Sequence, residues 1–82
     1  MKLIKIENEI TFKKTTTTHK VEINGKEVEI YEHSYYDSIS NDYENEIVYN
    51  DMEMNKLTEE EQDFLTYNEG EILGLQVGQL LE

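Results

Sequence analysis

Few side chains in this 82-residue chain could carry out catalysis. It has two histidines, His19 and His33, and it has no cysteine and no arginine. The serines at 34, 38 and 40 lie in a polar segment without the glycine-flanked turn of an activated serine nucleophile. His33 and Ser34 are adjacent, so in an extended strand their side chains point to opposite faces and form no dyad. The sequence therefore predicts a protein that is not an enzyme and needs no cofactor.

Metal and phosphate sites are also not predicted. Carboxylates are so abundant that no particular acid and base pair stands out. The segments SNDYENE and NDMEMN are rich in oxygen ligands, but neither has the D-x-D-x-D-G spacing and distal glutamate of a calcium loop. The glycines lie in an apolar, acidic context rather than beside lysine and serine or threonine, as phosphate-binding loops require.

Charge is the strongest signal in the sequence. The chain has 19 acidic residues and 7 lysines, for a net charge of −12. Six of the lysines but only three of the carboxylates fall in residues 1–26, so residues 27–82 are strongly acidic. Such a surface repels phosphate backbones and anionic lipid, which disfavours direct binding of nucleic acid or membrane. It favours a basic protein partner, and nucleic-acid-binding clefts are large basic surfaces.

Tyrosines alternate with acids through the middle of the chain. Tyrosine provides a large contact area at low entropic cost, and surrounding carboxylates steer association with a basic partner. The alternative is that the tyrosines pack as edge residues over a solvated acidic face. The candidate partner-binding residues are Glu27, Glu29, Tyr31, Glu32, Tyr35, Tyr36, Asp37, Asp42, Tyr43, Glu44, Glu46, Tyr49, Asp51 and Glu53.

In size, charge and lack of catalytic residues, the chain resembles the small acidic inhibitors of phages and mobile elements, including DNA-mimic anti-CRISPR and anti-restriction proteins. The resemblance covers composition over the whole chain and involves no motif. These inhibitors share no common fold, so no residue role is transferred. It implies a non-enzymatic inhibitor that acts in the cytoplasm of a bacterial host.

Length and composition indicate one domain, 1–82. The lack of cysteine suits a reducing cytoplasm. No apolar run is long enough for a leader or a membrane span, so we expect a soluble protein.

Alternating apolar residues predict strands in the first half of the chain. Val21 and Ile23 are two residues apart, so they lie on the same face of a strand. The threonine run Thr15–Thr18 is expected to be an exposed connection or a strand start. Earlier in the chain, apolar residues at even-numbered positions would also lie on one face of a strand; they are Ile4, Ile6, Ile10 and Phe12.

Asn24-Gly25 predicts a hairpin with a two-residue type I′ turn. This turn pairs Val21 with Val28 and His19 with Ile30, so His19 is expected to pack on the apolar face. It also sets Glu22 opposite Glu27 and Lys20 opposite Glu29. Because like charges opposed across strands are destabilising, this outer face is either simply solvated or an acidic stripe for a cationic partner.

Residues 33–56 carry weaker signals. Ile47, Val48 and Tyr49 predict one further short strand, between Asx-type turns at Ser40-Asn41-Asp42 and Asn50-Asp51. The rest of this segment is expected to be loop or irregular edge.

Thr58 and Glu61 form a capping box, which predicts a helix from residue 59. Asn68-Glu69-Gly70 is a possible C-cap, so either one long helix or two shorter ones reach residue 81. At helical spacing Leu73, Val77, Leu80 and Leu81 form an apolar stripe edged by a ridge of Gly70, Gly74 and Gly78. A strand through Leu73, Leu75 and Val77 is the alternative, but Leu80-Leu81 breaks its alternation.

The predicted fold is a small α+β domain with an antiparallel sheet of three to four strands (residues 2–50) packed against one or two C-terminal helices (residues 59–81). Its core should join the apolar hairpin face to Phe64, Leu65, Leu73, Val77 and Leu80. The glycine ridge should either pack within the molecule or mediate self-association. This leaves a second functional hypothesis, in which the chain is a structural or regulatory subunit that forms a homodimer through that ridge.

Overall fold

A computed structural model describes residues 1–11 and 13–81. Four strands come first, β1 (Lys2–Thr11), β2 (Lys14–Ile23), β3 (Lys26–Asp37) and β4 (Asp42–Tyr49). Three short helices follow, α1 (Asp51–Met54), α2 (Glu59–Tyr67) and α3 (Glu69–Leu73). The strands form one antiparallel sheet in the order β1-β2-β3-β4. The predicted α+β class, with the sheet first and the helices after it, is confirmed.

The hairpin between β2 and β3 has the predicted turn and register. Asn24 and Gly25 have φ of 51° and 79°, the positive values that a type I′ turn requires. Val21 pairs with Val28, and Glu22 opposes Glu27. Lys20 relieves part of that like-charge contact, because its Nζ lies 3.3 Å from a carboxylate oxygen of Glu27.

β3 and β4 are longer than the sequence predicted. Residues 33–37 continue β3 and residues 42–46 belong to β4, so the prediction of loop or irregular edge there is wrong. The connection between them is a turn in which the Ile39 N–H donates to Asp37 Oδ1 at 2.9 Å and Asn41 has a φ of 54°. The threonines Thr15–Thr18 lie within β2, one residue after its start, where β-branched side chains suit the pleated backbone.

The N-terminal strand departs from simple alternation. A register shift between Leu3 and Lys5 makes Ile4 an extra residue, so Leu3 rather than Ile4 pairs with Val21 in the core. Ile10 is 80% exposed, because none of the described helices covers that end of the sheet. Phe12, predicted to share the apolar parity of this strand, lies outside the described residues.

The core lies between the helices and one face of the sheet, next to the Asn24-Gly25 turn. Its buried hydrophobic residues are Leu3, Val21, Ile23, Val28, Ile30, Leu57, Leu65 and Ile72. Phe64 and Leu73 pack against this cluster, as predicted. Val77 and Leu80 were predicted core residues, but they are 60% and 69% exposed.

The capping box of α2 is present as predicted. The Thr58 hydroxyl accepts from the Glu61 N–H at 3.2 Å, and Glu61 Oε1 accepts from the Thr58 N–H at 2.8 Å. These bonds satisfy two N–H groups that the first turn of a helix otherwise leaves without partners.

The C-terminal segment is not a helix. Helical structure ends at Leu73 with Gly74 as its C-cap, and Gly78 has a φ of 90°, which a right-handed helix excludes. Residues 78–81 instead run antiparallel beside residues 1–3. The Gly78 N–H donates to the Leu3 carbonyl at 2.8 Å and the Leu3 N–H to the Gln79 carbonyl at 3.1 Å.

This pairing corrects the prediction of a helix through residue 81. The edge of β1 offers backbone partners that a glycine-rich helix would have to forgo, and Gly78 permits the turn towards that edge. Gly70, Gly74 and Gly78 therefore form no helical ridge. Within residues 1–11 and 13–81, no helix is long and apolar enough to cross a membrane.

Candidate interaction surface

The described helices cover one face of the sheet, and no described element covers the opposite, outer face. Side chains of β3 alternate between these faces, with Val28 and Ile30 directed to the core. Residues of β4 share a face with the β3 residues they pair with, as in any antiparallel ladder. We call the outer-face residues of β3 and β4 the acidic face. It comprises Glu27, Glu29, Tyr31, His33, Tyr35, Asp37, Asp42, Glu44, Glu46 and Val48.

Three aromatic rings form a column along β3 on this face. The ring centroids of Tyr31 and His33 are 6.3 Å apart, and those of His33 and Tyr35 are 6.1 Å apart. A hydrogen bond of 3.0 Å between His33 Nδ1 and the Thr16 hydroxyl fixes the middle ring. Lys14 Nζ lies 5.3 Å from the centroid of Tyr35, so a cation already contacts this column within the chain.

Carboxylates of β4 flank the column. Asp42 pairs with Asp37, Glu44 with Tyr35 and Glu46 with His33. Alternate residues of a strand are about 7 Å apart, so β4 presents a regular row of three exposed charges. Among the described residues, no ion pair involves these three carboxylates. They are therefore available to an external cation.

A hydrogen bond orders the end of the column nearest the core. The Tyr31 hydroxyl donates to Glu29 Oε2 at 3.1 Å, and the Glu29 N–H donates to Glu53 Oε1 at 2.9 Å. Glu53 therefore anchors α1 to β3 rather than joining the acidic face. Asp51 is exposed in the first turn of α1.

Not all the predicted partner-binding residues share one face. Glu32, Tyr36 and Tyr43 lie on the opposite face, beyond the end covered by the helices. The rings of Tyr36 and Tyr43 are 5.4 Å apart, and the Tyr36 hydroxyl donates to Asn41. The predicted set is therefore divided between the two sides of the sheet.

Tyr49 belongs to the contact between the sheet and the helices. Its hydroxyl donates to Glu69 Oε1 at 2.6 Å. Burial, together with this hydrogen bond to a carboxylate, raises the pKa of Tyr49. Tyr49 is half-buried and joins β4 to α3.

His33 and Lys14 belong to the candidate surface but are not predicted as parts of it from the sequence. His33 lies two residues from both Tyr31 and Tyr35, so a prediction of β3 through residue 35 would have placed the three on one face. Lys14 pairs with Tyr35 across the strands, which follows from extending the hairpin register to its far end.

The two histidines lie on opposite faces of the sheet. His19 is buried on the helix-facing side, as predicted, with Nε2 3.4 Å from Glu32 Oε1. Its Nδ1 has no hydrogen-bond partner among the described residues. His33 and Ser34 lie on opposite faces. In the described part of the chain, no group of three or more His, Asp and Glu residues is placed to hold a metal ion.

No protein-family model, curated protein or solved structure matches this chain. The geometry and charge of the surface therefore carry the functional argument.

Proposed function

We propose that this chain is a non-enzymatic inhibitor whose acidic face occupies a basic, nucleic-acid-binding surface of a partner protein in the cytoplasm of a bacterial host. The partner is a CRISPR effector or a restriction enzyme, which makes the chain an anti-CRISPR or anti-restriction protein. The observation that carries the proposal is the row of β4 carboxylates, which form no ion pair within residues 1–11 and 13–81, beside a column of aromatic rings on the outer sheet face.

Two physical effects support this function. The carboxylates of β4 have no cation partner among the described residues, so a basic surface gains new ion pairs when it meets them. The rings of Tyr31 and Tyr35 add contact area and can receive arginine or lysine side chains, as Tyr35 receives Lys14. A surface built in this way should bind through electrostatics and should lose affinity at high salt.

The test is retention of a CRISPR effector or restriction enzyme from bacterial lysate by the tagged chain, with parallel washes at low and high salt. We expect retention at low salt, release at high salt and displacement by duplex DNA. Retention of no nucleic-acid-binding protein, or retention that DNA does not affect, would contradict the proposal.

A matched pair of triple variants distinguishes binding through the acidic face from binding through overall negative charge. One variant neutralises the acidic face with Asp42→Asn, Glu44→Gln and Glu46→Gln. The control removes as many charges from exposed helical positions with Glu60→Gln, Asp63→Asn and Glu71→Gln. Only the first should weaken binding, by roughly tenfold, since exposed ion pairs are each worth a few tenths to 1 kcal/mol. Equal losses of affinity in both variants would contradict binding through the acidic face.

A further inference from the structure

β4 is an edge strand. In the sheet order it pairs with β3 on one side, and no described strand pairs with its other side. The opposite edge of the sheet differs, because residues 78–81 cover the start of β1. An uncovered edge presents a row of backbone N–H and C=O groups that can pair with another chain.

The two sides of β4 differ in chemistry. Asp42, Glu44 and Glu46 project on the acidic face, whereas Tyr43 and Ile47 project on the other. Tyr43 is 62% exposed, and every residue from 42 to 47 is exposed. The helices pack at the other end of the sheet, so they leave room beside this part of β4.

A second copy of this chain does not fit the edge. Antiparallel pairing of β4 with its own copy, centred on Glu44, would set Glu44 against Glu44 and Asp42 against Glu46. Like charges directly opposed across strands are destabilising. The same row of charges favours a strand with cationic side chains at alternate positions.

We propose that β4 is the docking edge for an extended segment of the partner, which adds to the sheet as a further strand. In this segment lysine or arginine alternates with β-branched or apolar residues. The cationic side chains face Asp42, Glu44 and Glu46, and the intervening residues lie beside Tyr43 and Ile47. The inference rests on the proposed function, because the segment belongs to the basic partner. Backbone hydrogen bonds supply part of the affinity, and alternating side chains supply the specificity.

The test uses a peptide as long as β4, eight residues, that alternates lysine and threonine. Two further peptides carry N-methyl groups on the lysine amides or on the threonine amides. Successive residues of a strand direct their backbone groups to opposite edges, so each methylated set blocks one edge only. Charge remains the same in all three peptides.

We expect the unmodified peptide to bind at low salt and one methylated peptide to bind about tenfold more weakly or worse, because several backbone hydrogen bonds are lost. The other methylated peptide should bind as the parent does. Hydrogen exchange at β4 amides should slow on binding. The variant with neutral residues at 42, 44 and 46 should bind weakly, whereas the helical control variant should bind normally.

Three results would overturn strand addition. The first is no binding of the parent peptide, and the second is equal affinity of both methylated peptides. The third is self-pairing of the chain through β4, seen as slowed hydrogen exchange at β4 amides without any peptide. Equal affinity of the methylated peptides with salt-sensitive binding would leave the proposed function standing. Discrimination between them without retention of a nucleic-acid-binding partner would support strand addition and contradict the proposed function.

Discussion

The Lys26 ammonium of β3 lies 2.7 Å from the Glu61 carboxylate of α2, and Glu61 is only 6% exposed. The second oxygen of Glu61 accepts from the Asn24 side chain, also at 2.7 Å. One carboxylate therefore caps a helix and ties it to the β2–β3 turn at Asn24 and to the start of β3 at Lys26. It fixes the helical layer against the sheet that carries the acidic face.

Replacing Glu61 with glutamine should destabilise the fold. The substitution removes the charge that Lys26 and Asn24 contact and weakens the capping box with Thr58. We expect the melting temperature to fall by several degrees, measured by circular dichroism. Glu60→Gln, at an exposed neighbouring position, is the control and should leave it nearly unchanged. Equal effects of the two substitutions would show that the buried contacts add nothing.

The stabilising contribution of Glu61 should be lost in acid. The hydrogen bond from Lys26, then those from Thr58 and Asn24, lower the pKa of Glu61 to about 2 from 4.5. A carboxyl whose pKa is lowered by folding stabilises the native state above its unfolded pKa, and this contribution is lost as pH falls from about 4.5 to about 2.

Chemical denaturation of the wild type and Glu61→Gln across that range checks this expectation. Protonation also relieves repulsion among the other carboxylates, so the relevant quantity is the difference between the two proteins. That difference should shrink as pH falls through the window. A constant difference would contradict the assigned role of Glu61.

Two glycines should respond to alanine in opposite directions. Gly78 has a φ of 90°, so Gly78→Ala should cost about 1–2 kcal/mol of unfolding free energy although the space around it is open. Gly70 lies in α3 with nothing within 4 Å of an added Cβ, so Gly70→Ala should stabilise by about 0.5–1 kcal/mol. Urea denaturation measures both. Stabilisation by both substitutions would instead indicate a continuous helix.

The corrected core gives a further test. Ile72 is fully buried, and Ile72→Ala should cost about 2–4 kcal/mol of unfolding free energy. Val77→Ala should cost less than about 0.5 kcal/mol, because Val77 is mostly exposed. The same urea titrations check this pair, and a larger loss at Val77 than at Ile72 would contradict the described packing.

Local signals predicted the parts of the fold that depend on neighbouring residues. Asn24-Gly25 determined the hairpin register, and Thr58 with Glu61 determined the start of α2. The pairing of residues 78–81 with residues 1–3 could not be predicted in this way, since the two segments lie at opposite ends of the sequence. Apolar spacing alone predicts a helix at Leu80, because it does not reveal the available strand edge at Lys2.

The candidate surface was predicted by composition but not by geometry. Tyr31 and Tyr35 share a face with each other, whereas Glu32 and Tyr36 lie on the opposite one. Odd- and even-numbered residues of a strand lie on opposite faces, so a prediction of β3 beyond residue 33 would have assigned these residues to two faces. The polar, tyrosine-rich sequence weakened that prediction, because its strand stability comes from cross-strand pairs rather than from a buried apolar face.

The sheet extends well past its covering helices in a molecule 43 Å long, and residues 7–11 and 42–47 are exposed along the outer strands. Within the described residues, cross-strand backbone bonds and side-chain contacts such as those of Tyr36 with Tyr43 and of His33 with Thr16 hold this part of the sheet together without a helical layer. We expect the twist of this part to change more readily than that of the end packed against the helices. Under the proposed function, a partner would then bend this ribbon to match its own curvature while Glu61, Lys26 and the residues beneath them stay in place.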